Sequence, residues 1–417
     1  MHQPSPRPRL GPRARQLLAA GSAIALSAAA GLVASCADRA PTAPAAASRA
    51  AGLAPALVAR GREIFRHDTF GDEKYWTDTL RMHEVVQAAV SPRAALGVGL
   101  KVDLDALPAA VRDALAAGRV DLDDPAVTVA LLKLDAVVGL RGEVHTVGGR
   151  DTLVRLGVTC ALCHSTVDDA LAPGIGRRRD GWPNLQLDPG AIVALSPAVS
   201  AATKAVLATW GPGKYDPRIN FDGLSTPLVL PPAYGLLGVD LETYTGEGPV
   251  SYWNAYVAVT QMHGQGSFSD ERLGIRVVQS PDLVTPKLED LYAYQVSLEA
   301  PKPPAGSYDV AAAERGRVVF EGAGRCSTCH TGPLLTDVGS GRLHSPAETG
   351  MDPRYAARTT QKAYRATPLR GLQQHPPYFH DGSARTLADV VAHYERALGL
   401  ALSEAQRRDL VEYLKTL

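Results

Sequence analysis

The chain has 417 residues, with 43 basic and 43 acidic side chains and a formal net charge of zero. A balance this even gives no electrostatic case for binding nucleic acid, and the length suffices for two or three domains with cores of their own.

Residues 1–35 hold Arg7, Arg9, Arg13 and Arg15 and no acid, then an apolar run from Leu17 to Val33 and the small residues Ala34 and Ser35. A basic start, a short apolar core and a small-residue exit describe a secretion signal. Cys36, directly after it, resembles the acylated cysteine of the bacterial lipoprotein box; ordinary cleavage nearby would leave a free thiol instead. The run is short and rich in Ala, Gly and Ser for an uncleaved span. Acylation would hold an exported, periplasmic protein on a membrane surface without spanning it. Residues 36–52, mostly Ala, Pro, Thr and Ser, read as a disordered tether.

Beyond the tether, Arg60-Gly61-Arg62-Glu63-Ile64-Phe65 opens the ordered part. Asp72 to Val90 reads as a helix, and Asp124-Pro125 places an N-cap and an N1 proline before another apolar segment. Val137 to Val147 and Asp151 to Gly157 pair as a hairpin across Gly148-Gly149. That hairpin leads into Cys160-Ala161-Leu162-Cys163-His164, and the same five-residue pattern returns as Cys326-Ser327-Thr328-Cys329-His330.

On a helical turn residues i and i+3 share a face, so both thiols of each pattern can reach the two vinyl carbons of one haem. The following histidine then supplies an imidazole to the iron. A zinc site would fold the two cysteine pairs onto one metal and would not call for histidine after both. A thioredoxin-like pair would sit beside a βαβ pattern, which is absent. Two covalently bound haem c groups are the expectation, carried by Cys160, Cys163 and His164 and by Cys326, Cys329 and His330. Export fits, because bacterial c-type attachment occurs outside the inner membrane.

Residues 174–248 are rich in Gly and Pro and read as long packed loops, and Pro301-Lys302-Pro303-Pro304 marks a boundary. Arg315-Gly316-Arg317-Val318-Val319-Phe320 then echoes residues 60–65, six residues before Cys326. The simplest account is one module used twice, the first copy interrupted by an insertion. Thr386 with Asp389, and Ser403 with Gln406, each form a capping-box signal before a closing helix.

Phe320 to Asp337, Thr367-Pro368-Leu369-Arg370-Gly371-Leu372 and Pro377-Tyr378-Phe379-His380-Asp381-Gly382 with Thr386-Leu387 resemble bacterial di-haem cytochrome c peroxidases and their MauG-type relatives. The likeness is good over about 100 C-terminal residues. Before them it is patchy, through Thr226-Pro227, Pro232-Ala233-Tyr234 and Tyr252-Trp253-Asn254. It implies a C-terminal haem that takes up or relays electrons and an N-terminal haem that meets peroxide or oxygen. It also implies Trp253 as an aromatic bridge between the haems. Tyr394 stands where peroxidases place a methionine ligand and MauG-type relatives a tyrosine; His393 points about 100° away from the apolar stripe that carries Tyr394. A plain core tyrosine is the alternative, with Met351 or His380 as the ligand instead. For peroxide chemistry a distal group must move a proton, and His263, Gln265 and Glu271 are the candidates; His263 could equally ligate the iron.

The resulting expectation is a mainly α-helical protein. Two cytochrome-c-like (class I) domains, residues 53–300 and 305–417, follow the signal and tether, and the first is enlarged by an insertion. The leading function is a di-haem oxidoreductase that reduces hydrogen peroxide with electrons from a small cytochrome or cupredoxin. MauG-like oxidation of an organic or protein substrate, or electron transfer alone, are the alternatives.

Overall fold

The computed structural model describes residues 53–417; the expected signal, Cys36 and the tether lie outside the described residues. Helix α1, Pro55–His67, opens with proline at its first turn, where no hydrogen bond is lost. The stretch expected as one helix from Asp72 is two: a π-turn at Lys74–Thr79 and helix α2, Met82–Ala89, parted at Arg81 with φ +55°. The wider turn lets neighbours Trp76 and Thr77 both face inward. Trp76 donates to the Met262 carbonyl, while Thr77 Oγ1 both donates to the Leu156 carbonyl and accepts from its N–H.

Asp124 caps helix α3, Pro125–Lys133, through the Ala126 N–H, as the sequence predicts. Strands β1, Leu140–Val147, and β2, Arg150–Val158, form the expected hairpin, with a bulge at Glu143/Val144. Gly148 and Gly149 turn it with φ of 58° and 78°, values that the left-handed turn demands and that only glycine adopts freely. Leu153, Leu156 and Val158 of β2 are buried, which fixes its register and delivers the chain to helix α4, Ala161–His164. Residues 174–248 contain only short elements between loops. Helices α5, Val250–Thr260, and α6, Leu288–Ser297, complete this part.

Helix α7, Val310–Glu321, leads to a 3₁₀ turn at Cys326–Thr328. Helices α8, Leu387–Leu398, and α9, Glu404–Leu414, close the chain, and both predicted capping boxes are formed. The protein is therefore mainly helical with small two-stranded sheets. Its largest core gathers Phe65, Trp76, Leu132, Trp253, Tyr256 and Leu291, with Cys160 and Cys163 packed against it. A second core holds Phe320, Leu372, Leu387, Val391 and Leu410 beside Cys326. Among the described residues no helix is long and apolar enough to cross a membrane.

The sequence echo is a structural one. α1 crosses α6 where Gly61 meets the Asp290 carbonyl: an added Cβ would lie 1.9 Å from that oxygen. α7 crosses α9 in the same way, with Gly316 against the Asp409 carbonyl at the same 1.9 Å. Arg60 grips Asp290 with two hydrogen bonds of 2.7 and 2.8 Å, and Arg315 grips Asp409 at 2.8 and 2.7 Å. Phe65 meets Tyr294 edge-on at 5.4 Å, and Phe320 meets Tyr413 at 5.2 Å. The partner helices carry matching segments, Asp290-Leu291-Tyr292-Ala293-Tyr294 and Asp409-Leu410-Val411-Glu412-Tyr413.

A second repetition links the halves crosswise. Bridges Glu242↔Gly248 and Tyr378↔Ala384 close two turns of similar shape, with Thr243 and Phe379 at positive φ. The first turn accepts the Arg365 N–H on the Tyr244 carbonyl at 2.9 Å; the second accepts the Val229 N–H on the His380 carbonyl at 2.8 Å. Each turn thus packs on the other half of the chain, and the rings of Tyr244 and His380 come within 6.3 Å.

Candidate functional site: two Cys-x-x-Cys-His turns

Both patterns sit on tight helical turns. The His164 N–H bonds the Cys160 carbonyl at 3.2 Å, and the His330 N–H bonds the Cys326 carbonyl at 3.0 Å. Residues i and i+3 of such a turn share a face, so the two cysteines of each pattern lie on the same side of it.

The histidines are oriented alike. His164 Nδ1 lies 3.2 Å from the Pro231 carbonyl and His330 Nδ1 lies 2.9 Å from the Leu335 carbonyl. A carbonyl only accepts, so in both rings Nδ1 carries the proton and Nε2 keeps its lone pair. That is the tautomer an iron ligand needs, with the carbonyl fixing the ring's direction. Burial holds both imidazoles neutral, pushing His164 down to about 4 and lowering His330. Burial also pushes the thiols of Cys160, Cys163 and Cys326 up to about 12, so none is a ready thiolate nucleophile.

Around the second turn lies a cavity of about 410 Å³, lined by Cys326, Cys329, His330, Leu372, Tyr378 and Tyr394 among others. The walls are mainly apolar, but three residues of the lining each keep a buried polar atom with no partner among the described residues: Arg365 Nε, Thr243 Oγ1 and Glu242 Oε1. A large apolar slot with two thiols, a free imidazole nitrogen and unpaired polar atoms at one end fits a haem. Around the first turn the Asn184 N–H bonds the Cys163 carbonyl while its own Oδ1 is buried and unpartnered, as is the indole N–H of Trp253.

Tyr394 lines the cavity. Its hydroxyl is raised by burial first and then by the nearby thiols of Cys329 and Cys326. His393 points elsewhere, its Nε2 2.9 Å from the Thr349 carbonyl. Met351 and His380 also line the cavity, but His380 Nε2 is 3.1 Å from the Tyr364 hydroxyl, whose own proton goes to the Asp352 carbonyl at 2.7 Å. His380 is therefore the donor there, and that nitrogen has no lone pair for a metal.

The expected distal residues each make contacts of their own. His263, at φ 63°, stacks on Tyr75 at 3.7 Å and is exposed. Gln265 accepts from Lys74 at 3.2 Å and donates to the Pro281 carbonyl at 2.9 Å. Glu271 is exposed on a 3₁₀ turn, Glu271–Leu273. Trp253 is buried in α5 between Tyr252 and Tyr256, at 5.5 Å from each, and is not among the residues of the second cavity. Two aromatic pairs join the halves, Tyr244 with His380 at 6.3 Å and Tyr234 with His375 at 6.5 Å. Near Cys163 the structure places a pair that sequence reading missed: Tyr215 donates to Gln261 Oε1 at 2.8 Å. Tyr215 and Gln261 lie 46 residues apart, and no spacing rule joins them.

Neither cysteine pair meets the other on a metal. The one metal-capable group among the described residues is Cys329, Asp337 and His344. Within it His344 is already held between Asp337 and Glu348, at 3.0 Å from each, while Cys329 Sγ stands off at 3.8 Å.

Curated proteins of known name share part of this sequence. MauG of Methylorubrum extorquens is 33% identical over 129 residues, which cover 25% of this chain and 34% of MauG. The cytochrome-c peroxidase IdrP2 of a Pseudomonas species is 30% identical over 146 residues, covering 25% and 39%. The chain resembles MauG and the bacterial cytochrome-c peroxidases. Hydrazine synthase subunit gamma of Kuenenia stuttgartiensis is 29% identical over 182 residues, covering 34% and 52%. The matched stretches span between a third and about half of these relatives' own lengths. No family model matches the chain. A solved MauG-like protein associated with microbial copper homeostasis overlays 46% of the chain and 74% of its own, with 17% identity and a TM-score of 0.33.

Proposed function

We propose that this protein is a di-haem c-type cytochrome acting as an oxidoreductase. One haem would be held by Cys160, Cys163 and His164, the other by Cys326, Cys329 and His330. The carrying observation is the twice-used arrangement in which a helical Cys-x-x-Cys-His turn presents a histidine whose Nδ1 is committed to a backbone carbonyl. The MauG and peroxidase likeness supports the same reading. Two class I cytochrome units, closing at the α1–α6 and α7–α9 crossings, are part of this proposal.

When bound, such haems supply one-electron chemistry and, at an open iron position, peroxide or oxygen activation. The chain's own residues divide the work. Leu372, Leu387, Val391 and Leu410 exclude water around the second site, and Tyr394, which lines the same cavity, would act as the second ligand there. At the first site Tyr215 and Gln261 form a half-buried hydrogen-bonded pair suited to holding and moving a proton beside Cys163, as peroxide reduction requires. His263, stacked on Tyr75, is the alternative there. We further propose export with acylation of Cys36, so that electrons arrive from a small periplasmic cytochrome or cupredoxin.

Hydrogen peroxide reduced at the first site is the leading reaction. The position of Tyr394 favours the second reading, MauG-like oxidation of an organic or protein substrate. Purified holoprotein mixed with peroxide and a reduced small cytochrome tests the choice: rapid turnover supports peroxidase action. Peroxide consumption that proceeds only with an oxidisable substrate supports the MauG-like reading. Two six-coordinate low-spin haems inert to peroxide would refute both.

A further inference from the structure

Glu242, Thr243, Arg365 and Arg370 form one polar group in the lining of the second cavity. Arg365 is 7% exposed at its side chain and pairs with Glu242, also 7% exposed, at 3.0 Å. Yet each keeps a buried atom unpartnered, Arg365 Nε and Glu242 Oε1, and the neighbouring Thr243 Oγ1 is unpartnered as well. All three residues line the cavity, together with Arg370, which spends one N–H on the Gly235 carbonyl at 2.7 Å. The other arginines of the lining differ: Arg342 is half exposed and already faces Asp337 and Glu348, and Arg325 is exposed.

A buried polar atom without a partner is costly, and three of them on residues of one cavity point to a missing ligand rather than to chance. Arg365 Nε offers an N–H, Thr243 an O–H. Glu242 holds the Arg365 guanidinium at 3.0 Å. The Thr243 hydroxyl with the guanidinium groups of Arg365 and Arg370 suits an anion with paired oxygens, a carboxylate.

We propose that Arg365, Thr243 and Arg370 clamp the propionate carboxylates of the second haem, with Glu242 holding Arg365 in position. This rests on the two-haem reading. It adds that the turn at Glu242–Gly248, which belongs to the first half of the chain, completes the haem site of the second half.

The test uses holoprotein matured in a host that attaches haem c. Spectroelectrochemical titration and resonance Raman of the propionate modes are read on Arg365→Gln, Arg370→Gln and Thr243→Val. Losing either positive charge lowers the potential of the second haem and leaves the first unmoved, and Thr243→Val shifts a propionate mode. If Arg365→Gln fails to fold, Arg370→Gln carries the charge arm alone. Variants that retain both haems but leave potential and propionate modes unchanged overturn the clamp. Wild-type chain without haem on Cys326 and Cys329 overturns the two-haem reading itself, a separate result visible by mass.

Discussion

Gly316 lies against the backbone carbonyl of Asp409, so closely that a methyl group on Gly316 would sit 1.9 Å from the oxygen. Only glycine lets α7 and α9 approach to this distance, and the approach is what seats Arg315 on the Asp409 carboxylate and Phe320 on Tyr413. Gly316→Ala must therefore push the helices apart. The expected cost is about 1–3 kcal/mol, seen as a lower denaturation midpoint with the slope unchanged. Gly61→Ala, at the equivalent crossing with α6, is expected to cost a similar amount. Neutral behaviour at both positions would mean that the crossings are slack.

Asp72 is a second place where burial leaves a measurable mark. It is fully buried, accepts the Val158 N–H at 3.2 Å, and is pushed up to about 9 by burial and then by Glu73. The folded carboxyl is thus raised above its unfolded value. Its contribution is whole below the unfolded value near 4 and is lost as pH rises toward 9. Across that window the slope is about 1.4 kcal/mol per pH unit for this one group. Asp72→Asn should flatten the fall in thermal stability between these limits and raise stability at pH 8. An unchanged pH profile would place the charge of Asp72 in solvent or in an ion pair.

Tyr394→Phe removes a hydroxyl from the second cavity and little else, so the fold should tolerate it. If Tyr394 ligates the second iron, the ferric spectrum of one haem changes and its potential rises, while the other haem keeps its signature. Identical spectra and potentials would make Tyr394 a core side chain and return Met351 to consideration.

For the N-terminal segment the expected result is fractionation with membranes, lost on Cys36→Ser, with the variant recovered as soluble periplasmic protein. Wild-type protein found wholly in the soluble periplasm would remove the lipid anchor from the account.

Much of this was legible beforehand, for local reasons. The hairpin across Gly148-Gly149, the Asp124 cap and the two capping boxes depend on neighbours within a few residues, and they formed where the sequence placed them. Asp72 to Val90 did not stay one helix, because burying both Trp76 and Thr77 forced a wider turn that hydrophobic spacing alone cannot signal. The repeat was visible at Arg60-Gly61 and Arg315-Gly316, but its other half, Asp-Leu-x-x-Tyr on the partner helices, was there to be read and was missed. Tyr215 with Gln261, and Glu242 with Arg365, are pairs made by long loops, whose partners only the folded chain reveals.

The central claim is most directly tested by intact mass of the purified exported protein, with Cys160→Ala/Cys163→Ala and Cys326→Ala/Cys329→Ala beside it. The account predicts two added haem masses in the wild type and one in each double variant. A wild-type mass equal to the processed polypeptide alone, or a single haem that survives both variants, would contradict it.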